Sequence, residues 1–206
     1  MKGAITGTGA LLWLCLGCGD SSPHQPIPSE PSGWQPGTVL PSGDVELRGL
    51  RDVRGIVHAH SVYSHDACDG APRSEVDDSI DETCFDDFRR DMCRVAHDFV
   101  MLTDHGESFS RTEFPDTLLY RADRGDALVE RGGIAVANRA ACDPADTPTN
   151  VAHETLLMAG NESAMMPVGL EGHVAATEAE RNAIYGDASA ENIALMQMAG
   201  AVVLAQ

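Results

Sequence analysis

Gly55-Ile56-Val57-His58-Ala59-His60-Ser61-Val62-Tyr63-Ser64-His65-Asp66 is the stretch on which the reading of this chain turns. Ile56, Val57 and their neighbours form a short apolar run, the pattern of a strand buried on both faces. Side chains alternate along a strand, so His58 and His60 project from one face, on the parity of Ile56. Imidazoles one pleat apart can bind a single metal ion, or one each of two neighbouring ions. Ser61, Ser64, His65 and Asp66 follow at once, so the strand ends in a polar turn rich in potential ligands.

Downstream, residues 66–83 read as an acidic loop and a helix is expected from Phe85. Phe85, Phe88, Met92 and Val95 recur at helical spacing, Asp86 and Asp87 stand in the first turn, and Arg89, Arg90 and Arg94 fall on other faces. Phe99-Val100-Met101-Leu102-Thr103 is a second apolar strand, which completes the strand–helix–strand unit of a parallel sheet. It runs into Thr103-Asp104-His105, a second histidine where a strand meets its loop. In parallel α/β folds the carboxyl ends of strands converge on the active site. Asp104 can orient an imidazole by accepting its second N–H or bind metal itself.

Further on, residues 116–131 are expected to form a helix, weakened by Gly125 and ended at Gly132-Gly133. Ile134–Ala137 is a third apolar segment, and 138–149 reads as loop. Residues 155–158 and 165–170 are further strands, the latter running into Glu171-Gly172-His173, with Glu171 and His173 on one parity. Residues 189–199 read as helix and 201–205 as the next buried strand. His97 and His153 have no comparable setting and read as structural or exposed.

His58-x-His60-Ser61-x-x-Ser64, then Thr103-Asp104-His105, then Gly169-x-Glu171 resemble, in order, the first three motifs of the PHP family, named for polymerase and histidinol phosphatase. The resemblance implies a distorted, TIM-like β/α barrel that holds up to three divalent metal ions (Zn, Mn or Fe) and hydrolyses phosphoesters. Carried over residue by residue, it implies metal ligation by His58, His60, His105 and Glu171. For the further ligand after the second serine, His65 and Asp66 compete, Asp66 being favoured and Asp69 a weaker choice; His173 is another lesser candidate. The family's later motifs lie beyond a strand resembling Gly200–Leu204, so the reading is of an N-terminal portion of the barrel, truncated at its C-terminal side.

The remaining sequence bears on location and partners. Lys2 followed by the apolar run Ala10–Leu16 reads as an export signal too short to span a bilayer. Cys15-Leu16-Gly17-Cys18 resembles a bacterial lipoprotein cleavage box, with Cys18 as the lipidated residue. The expected organisation is a signal at 1–17, a Pro/Ser/Gly-rich tether at 18–44 and a hydrolase domain at 45–206. The protein would then be extracytoplasmic, held to a membrane by its lipid alone. With 14 Lys+Arg against 32 Asp+Glu, the net charge is −18, a field that repels nucleic acid. Cys68, Cys84, Cys93 and Cys142 lack Cys-x-x-Cys spacing and suit two disulfides, in any of three pairings, in an oxidising compartment. The expected activity is metal-assisted hydrolysis of a small-molecule phosphoester. Hydrolysis of a carboxylic ester or amide, or metal binding without catalysis, are the alternatives.

Overall fold

The computed structural model describes residues 53–205. The signal, Cys18 and tether readings therefore lie outside the described residues. The fold is mixed α/β, built on a seven-stranded mixed sheet with few helices. Strands β1 (Gly55–Ala59) and β2 (Phe99–His105) are parallel and flank helix α1 (Glu82–Arg94) in the chain. Asp81 caps α1 by accepting from the Cys84 amide at 3.0 Å, and Phe85, Met92 and Cys93 bury its inner face. Helix α2 (Gly106–Arg111) begins directly after His105.

Strand β5 (His153–Glu162) runs parallel to β2 on one edge. Its other edge is shared by β4 (Ile134–Cys142) and β6 (Met166–Leu170), both antiparallel to it. β3 (Ala127–Arg131) pairs with β4, and β7 (Val202–Leu204) with β6. Helices α3 (Glu178–Tyr185) and α4 (Ala190–Met198) lie between β6 and β7 in the chain. One apolar cluster gathers Val62, Phe85, Met92, Val100, Leu102 and Leu157, and a second gathers Phe109, Leu118, Leu170, Tyr185 and Met196. No helix among the described residues is long and apolar enough to cross a membrane.

The structure departs from the sequence reading in four places. β1 has β2 as its sole partner among the described strands, so Ile56 and Val57 stay 37% and 50% exposed and the strand is not buried on both faces. Residues 116–131 are not a helix but two short 3₁₀ turns followed by β3. Gly132 and Gly133, at φ 60° and 81°, make the left-handed two-residue turn of a β3–β4 hairpin, where a helix end had been expected. Residues 138–142 are consequently strand, in register with β5 through Cys142↔His153. Arg89 does not fall on another face of α1; one turn from Phe85, it shares the buried face and forks onto the buried Asp126 at 2.6 Å through both terminal nitrogens.

The four cysteines pair as Cys68–Cys84 and Cys93–Cys142. The second bridge closes a span of 49 residues and joins α1 to the end of β4. Removing it as C93A/C142A is expected to lower unfolding free energy by about 2–4 kcal/mol, because the unfolded chain regains its loop entropy. Urea denaturation of the two forms measures the difference.

Candidate metal centre

β1, β2 and β5 run parallel, so their carboxyl ends deliver side chains to one edge of the sheet. His58 and His60 arrive from the end of β1, Thr103 and His105 from β2, and Glu162 from the last residue of β5, in register with His105. Gly160 permits this convergence. A Cβ there would lie 2.7 Å from the Pro167 carbonyl and 2.9 Å from the Thr103 methyl. Asp66 comes from the loop after β1.

Two oxygens organise the group. Glu162 Oε2 lies 2.8 Å from His60 Nε2, 3.7 Å from His105 Nδ1 and 3.8 Å from His58 Nε2. Asp66 Oδ2 lies 3.0 Å from His60 Nδ1 and 3.2 Å from His105 Nε2. His60 is thus bracketed by a carboxylate on each ring nitrogen and belongs to two potential ligand sets, His58/His60/Glu162 and His60/Asp66/His105. Within each set the candidate ligand atoms lie within 4.8 Å of one another. His60 and Glu162 are the shielded centre, at 21% and 26% side-chain exposure, while His58 and Asp66 at 45% and 43% form a rim open to solvent.

Neighbouring hydroxyls orient the ligands, as outer partners do in metal sites. Thr103 Oγ1 meets His58 Nδ1 at 2.9 Å, which leaves Nε2 as the nitrogen facing Glu162. Ser64 Oγ donates to Asp66 Oδ1 at 2.6 Å, which holds the carboxylate with both oxygens 3.0 Å from His60 Nδ1 and Oδ2 on His105. Partial burial pushes the Asp66 carboxyl up, but the Ser64 hydrogen bond and the neighbouring His60 outweigh it and hold the group well below the usual carboxylate range. Asp66 is therefore a standing negative charge at neutral pH.

The other sequence candidates sit elsewhere. Asp104, alternating to the opposite side of β2, does not touch an imidazole. It is fully buried and accepts from the Ser61 amide at 2.5 Å and the Ser61 hydroxyl at 2.6 Å, fixing the turn that follows the histidine pair. Burial pushes its pKa up, against the Ser61 bonds that favour the anion. His65 packs its ring 4.6 Å from that of His105, outside both ligand sets. Asp69 lies exposed in the 3₁₀ turn 68–70 and also belongs to neither set. His173 is enclosed by Phe109 and Phe114, with Nε2 2.8 Å from the Thr112 carbonyl and Nδ1 3.3 Å from the Tyr185 hydroxyl. Burial pushes its pKa down, and with both nitrogens engaged it serves as a packed neutral ring rather than a ligand.

Glu171 is the main correction. Its carboxylate meets Arg131, and its amide donates to the Ala199 carbonyl at 2.9 Å. β6 is antiparallel to β5, with Ala159 opposite Leu170, so the carboxyl end of β6 points away from the edge where Glu162 stands. The triplet Gly-x-Glu occurs twice in this region, at 160–162 and 169–171. Reading past Met158 to Gly160-Asn161-Glu162 exposes the carboxylate that the structure brings to the imidazoles.

The donors present fit a divalent ion: imidazoles and carboxylates, with no thiolate, suit zinc, manganese or iron. Comparison of the chain with known protein families, curated proteins and solved structures finds no match in any of the three. The functional argument accordingly rests on the geometry of the group itself.

Proposed function

We propose that this chain is a metal-dependent hydrolase of the PHP type, acting on a small-molecule phosphoester and carried outside the cytoplasm on a lipid anchor at Cys18. On this reading β1, β2 and β5 are consecutive wall strands of a β/α barrel. The observation that carries the proposal is the single oxygen, Glu162 Oε2, within 4 Å of His58, His60 and His105, with Asp66 closing the far side. A divalent ion placed among these groups would be offered imidazole nitrogens and carboxylate oxygens together, the donor set such ions take.

His58, His60 and Glu162 would hold one ion, and His60, Asp66 and His105 a neighbouring one or an alternative position. A bound divalent ion supplies Lewis acidity toward phosphoryl oxygens and lowers the pKa of water. The chain's own contributions are orientation and charge. Thr103 fixes the His58 ring, Ser64 fixes Asp66, and Ser61 with Asp104 fixes the backbone between them. Two carboxylates would offset the whole charge of a single divalent ion or half that of a pair, and the exposed rim of His58 and Asp66 leaves a face open to substrate.

Mn²⁺ or Zn²⁺ at 100 times its Kd is expected to stabilise the protein by about 2.7 kcal/mol. A chromogenic phosphoester should be turned over in the presence of the metal, should be spared after chelation, and should be preferred to the matching carboxylic ester. Faster cleavage of the carboxylic ester would transfer the site to that chemistry. Metal uptake with no turnover would leave binding alone, and no metal uptake would remove the proposal.

A further inference from the structure

Asp66 approaches the imidazoles from a loop, not from a strand or helix, and this makes its placement a separate problem from that of the other ligands. Ahead of it the chain is well tied. The Ser64 amide donates to the Ser61 carbonyl at 3.0 Å, and the His65 amide to Ser108 Oγ at 3.0 Å. Behind it the backbone turns through consecutive left-handed residues, Cys68, Asp69 and Gly70, at φ 52°, 59° and 82°. Glycine adopts this region freely and aspartate tolerates it, but for cysteine it is unfavourable and persists where the surroundings impose it.

What imposes it is visible. Cys68 is bonded to Cys84 in the first turn of α1, with Cα atoms 5.8 Å apart. Cys84 is the residue whose amide the Asp81 cap accepts from, and Phe85 beside it is fully buried. Both cysteines pack against the apolar cluster of Val62, Tyr63, Phe85 and Leu102. The anchor is therefore one of the more firmly held points of the fold, two residues along the chain from Asp66.

We propose that the Cys68–Cys84 disulfide is a positioning device for Asp66: it holds the left-handed turn 68–70 against α1, so that the carboxylate stays on His60 and His105. The inference rests on the metal-site reading above and assigns this cross-link a role in the site, distinct from the general stabilising role of Cys93–Cys142. Sites built on loops are looser than sites on regular elements unless supporting bonds lock them; behind Asp66 the turn's backbone hydrogen bonds are local, and this disulfide ties that turn to α1.

The test uses the full oxidised chain and two readouts. Titration calorimetry with Mn²⁺ or Zn²⁺, well below the unfolding temperature, should show C68A/C84A binding roughly 10- to 100-fold more weakly than the unmutated protein, the loss that follows removal of an outer support in metal sites. C93A/C142A removes the longer cross-link and should leave affinity within about twofold, since neither cysteine adjoins a ligand and His105, though within its span, is held by the pairing of β2 with β5. In a D66N background the further loss from C68A/C84A should vanish, because the disulfide acts through Asp66. In the metal-free protein, amide exchange of Ala67, Gly70 and Ala71, each hydrogen-bonded within this turn, should accelerate in C68A/C84A while amides of β2 and β5 stay protected. Unchanged affinity and unchanged exchange overturn the proposal, as does an equal loss on the D66N background. Failure of the unmutated chain to bind metal overturns the site reading instead, and the exchange data then decide the clamp on their own.

Discussion

Glu162→Gln is expected to weaken metal binding more than 100-fold and to remove metal-dependent turnover, while Glu171→Gln leaves both within about twofold. Glu162 Oε2 is the atom shared by the His58, His60 and His105 rings, at 2.8 to 3.8 Å. An amide in its place loses the negative charge and presents N–H groups to imidazole nitrogens that must face a cation. Losing a partner outside the ligand shell already costs 10- to 100-fold in metal affinity, so losing a ligand exceeds that range. Glu171 meets Arg131, whose side chain is 73% exposed, and pairs of that kind contribute about 0–1 kcal/mol. Calorimetry with Mn²⁺ and a phosphoester assay on both variants, with circular dichroism to confirm folding, separate them. A large loss in Glu171→Gln and none in Glu162→Gln would show that β6, not β5, delivers the carboxylate.

The same pair of residues shows how far local sequence carries. The histidines of β1 and β2 were legible because their signal is local: alternation along a strand puts His58 and His60 on one face, and Thr103 and His105 on one face of β2. The strand–helix–strand unit from Gly55 to His105 was legible for the same reason. Choosing between Gly160-x-Glu162 and Gly169-x-Glu171 needs the direction of each strand in the sheet. That is set by pairing between distant segments and leaves no mark on either triplet. The hairpin β3–β4 was hidden similarly. Leu128 and Val129 suit a helix or a strand, and pairing with β4, continued onto β5, decides for strand.

Arg89 was hidden for a different reason, and it carries the last expected result: Asp126→Asn should destabilise the fold by about 3–5 kcal/mol, a Tm drop of roughly 10 °C for a domain of this size. On the helical wheel of α1, Arg89 falls one turn from Phe85 on the inner face, but periodicity records hydrophobicity and gives no sign of the acid, brought from far along the chain, that lets a guanidinium be buried there. In the fold its guanidinium is buried and forks onto Asp126, with the Leu119 and Ala141 carbonyls at 3.1 and 3.2 Å taking further N–H bonds. Asp126 also accepts from the Arg121 and Ala141 amides and from Asn138 Nδ2, and so ties α1, the 3₁₀ turns and β4 to one carboxylate. Burial pushes this carboxyl up, but the Arg89 bonds, helped by Asn138 and Arg121, prevail and hold it below the usual carboxylate range. A depressed acid stabilises the fold above its unfolded pKa of about 3.9, and that stabilisation is lost as pH falls through the lower folded value. Asp126→Asn removes the charge at every pH, leaves Arg89 buried without its counter-ion, and flattens this acid limb of the stability profile. Arg89→Met together with Asp126→Leu should cost less than the sum of the single changes, since no charge is then left alone. It should still cost something, because the Arg121 and Ala141 amides and Asn138 lose their acceptor. Urea denaturation of the unmutated, single and double variants between pH 3 and 7 measures each of these quantities. A single-mutant loss below about 1 kcal/mol would mean that the pair is far less coupled to the fold than its hydrogen bonds indicate.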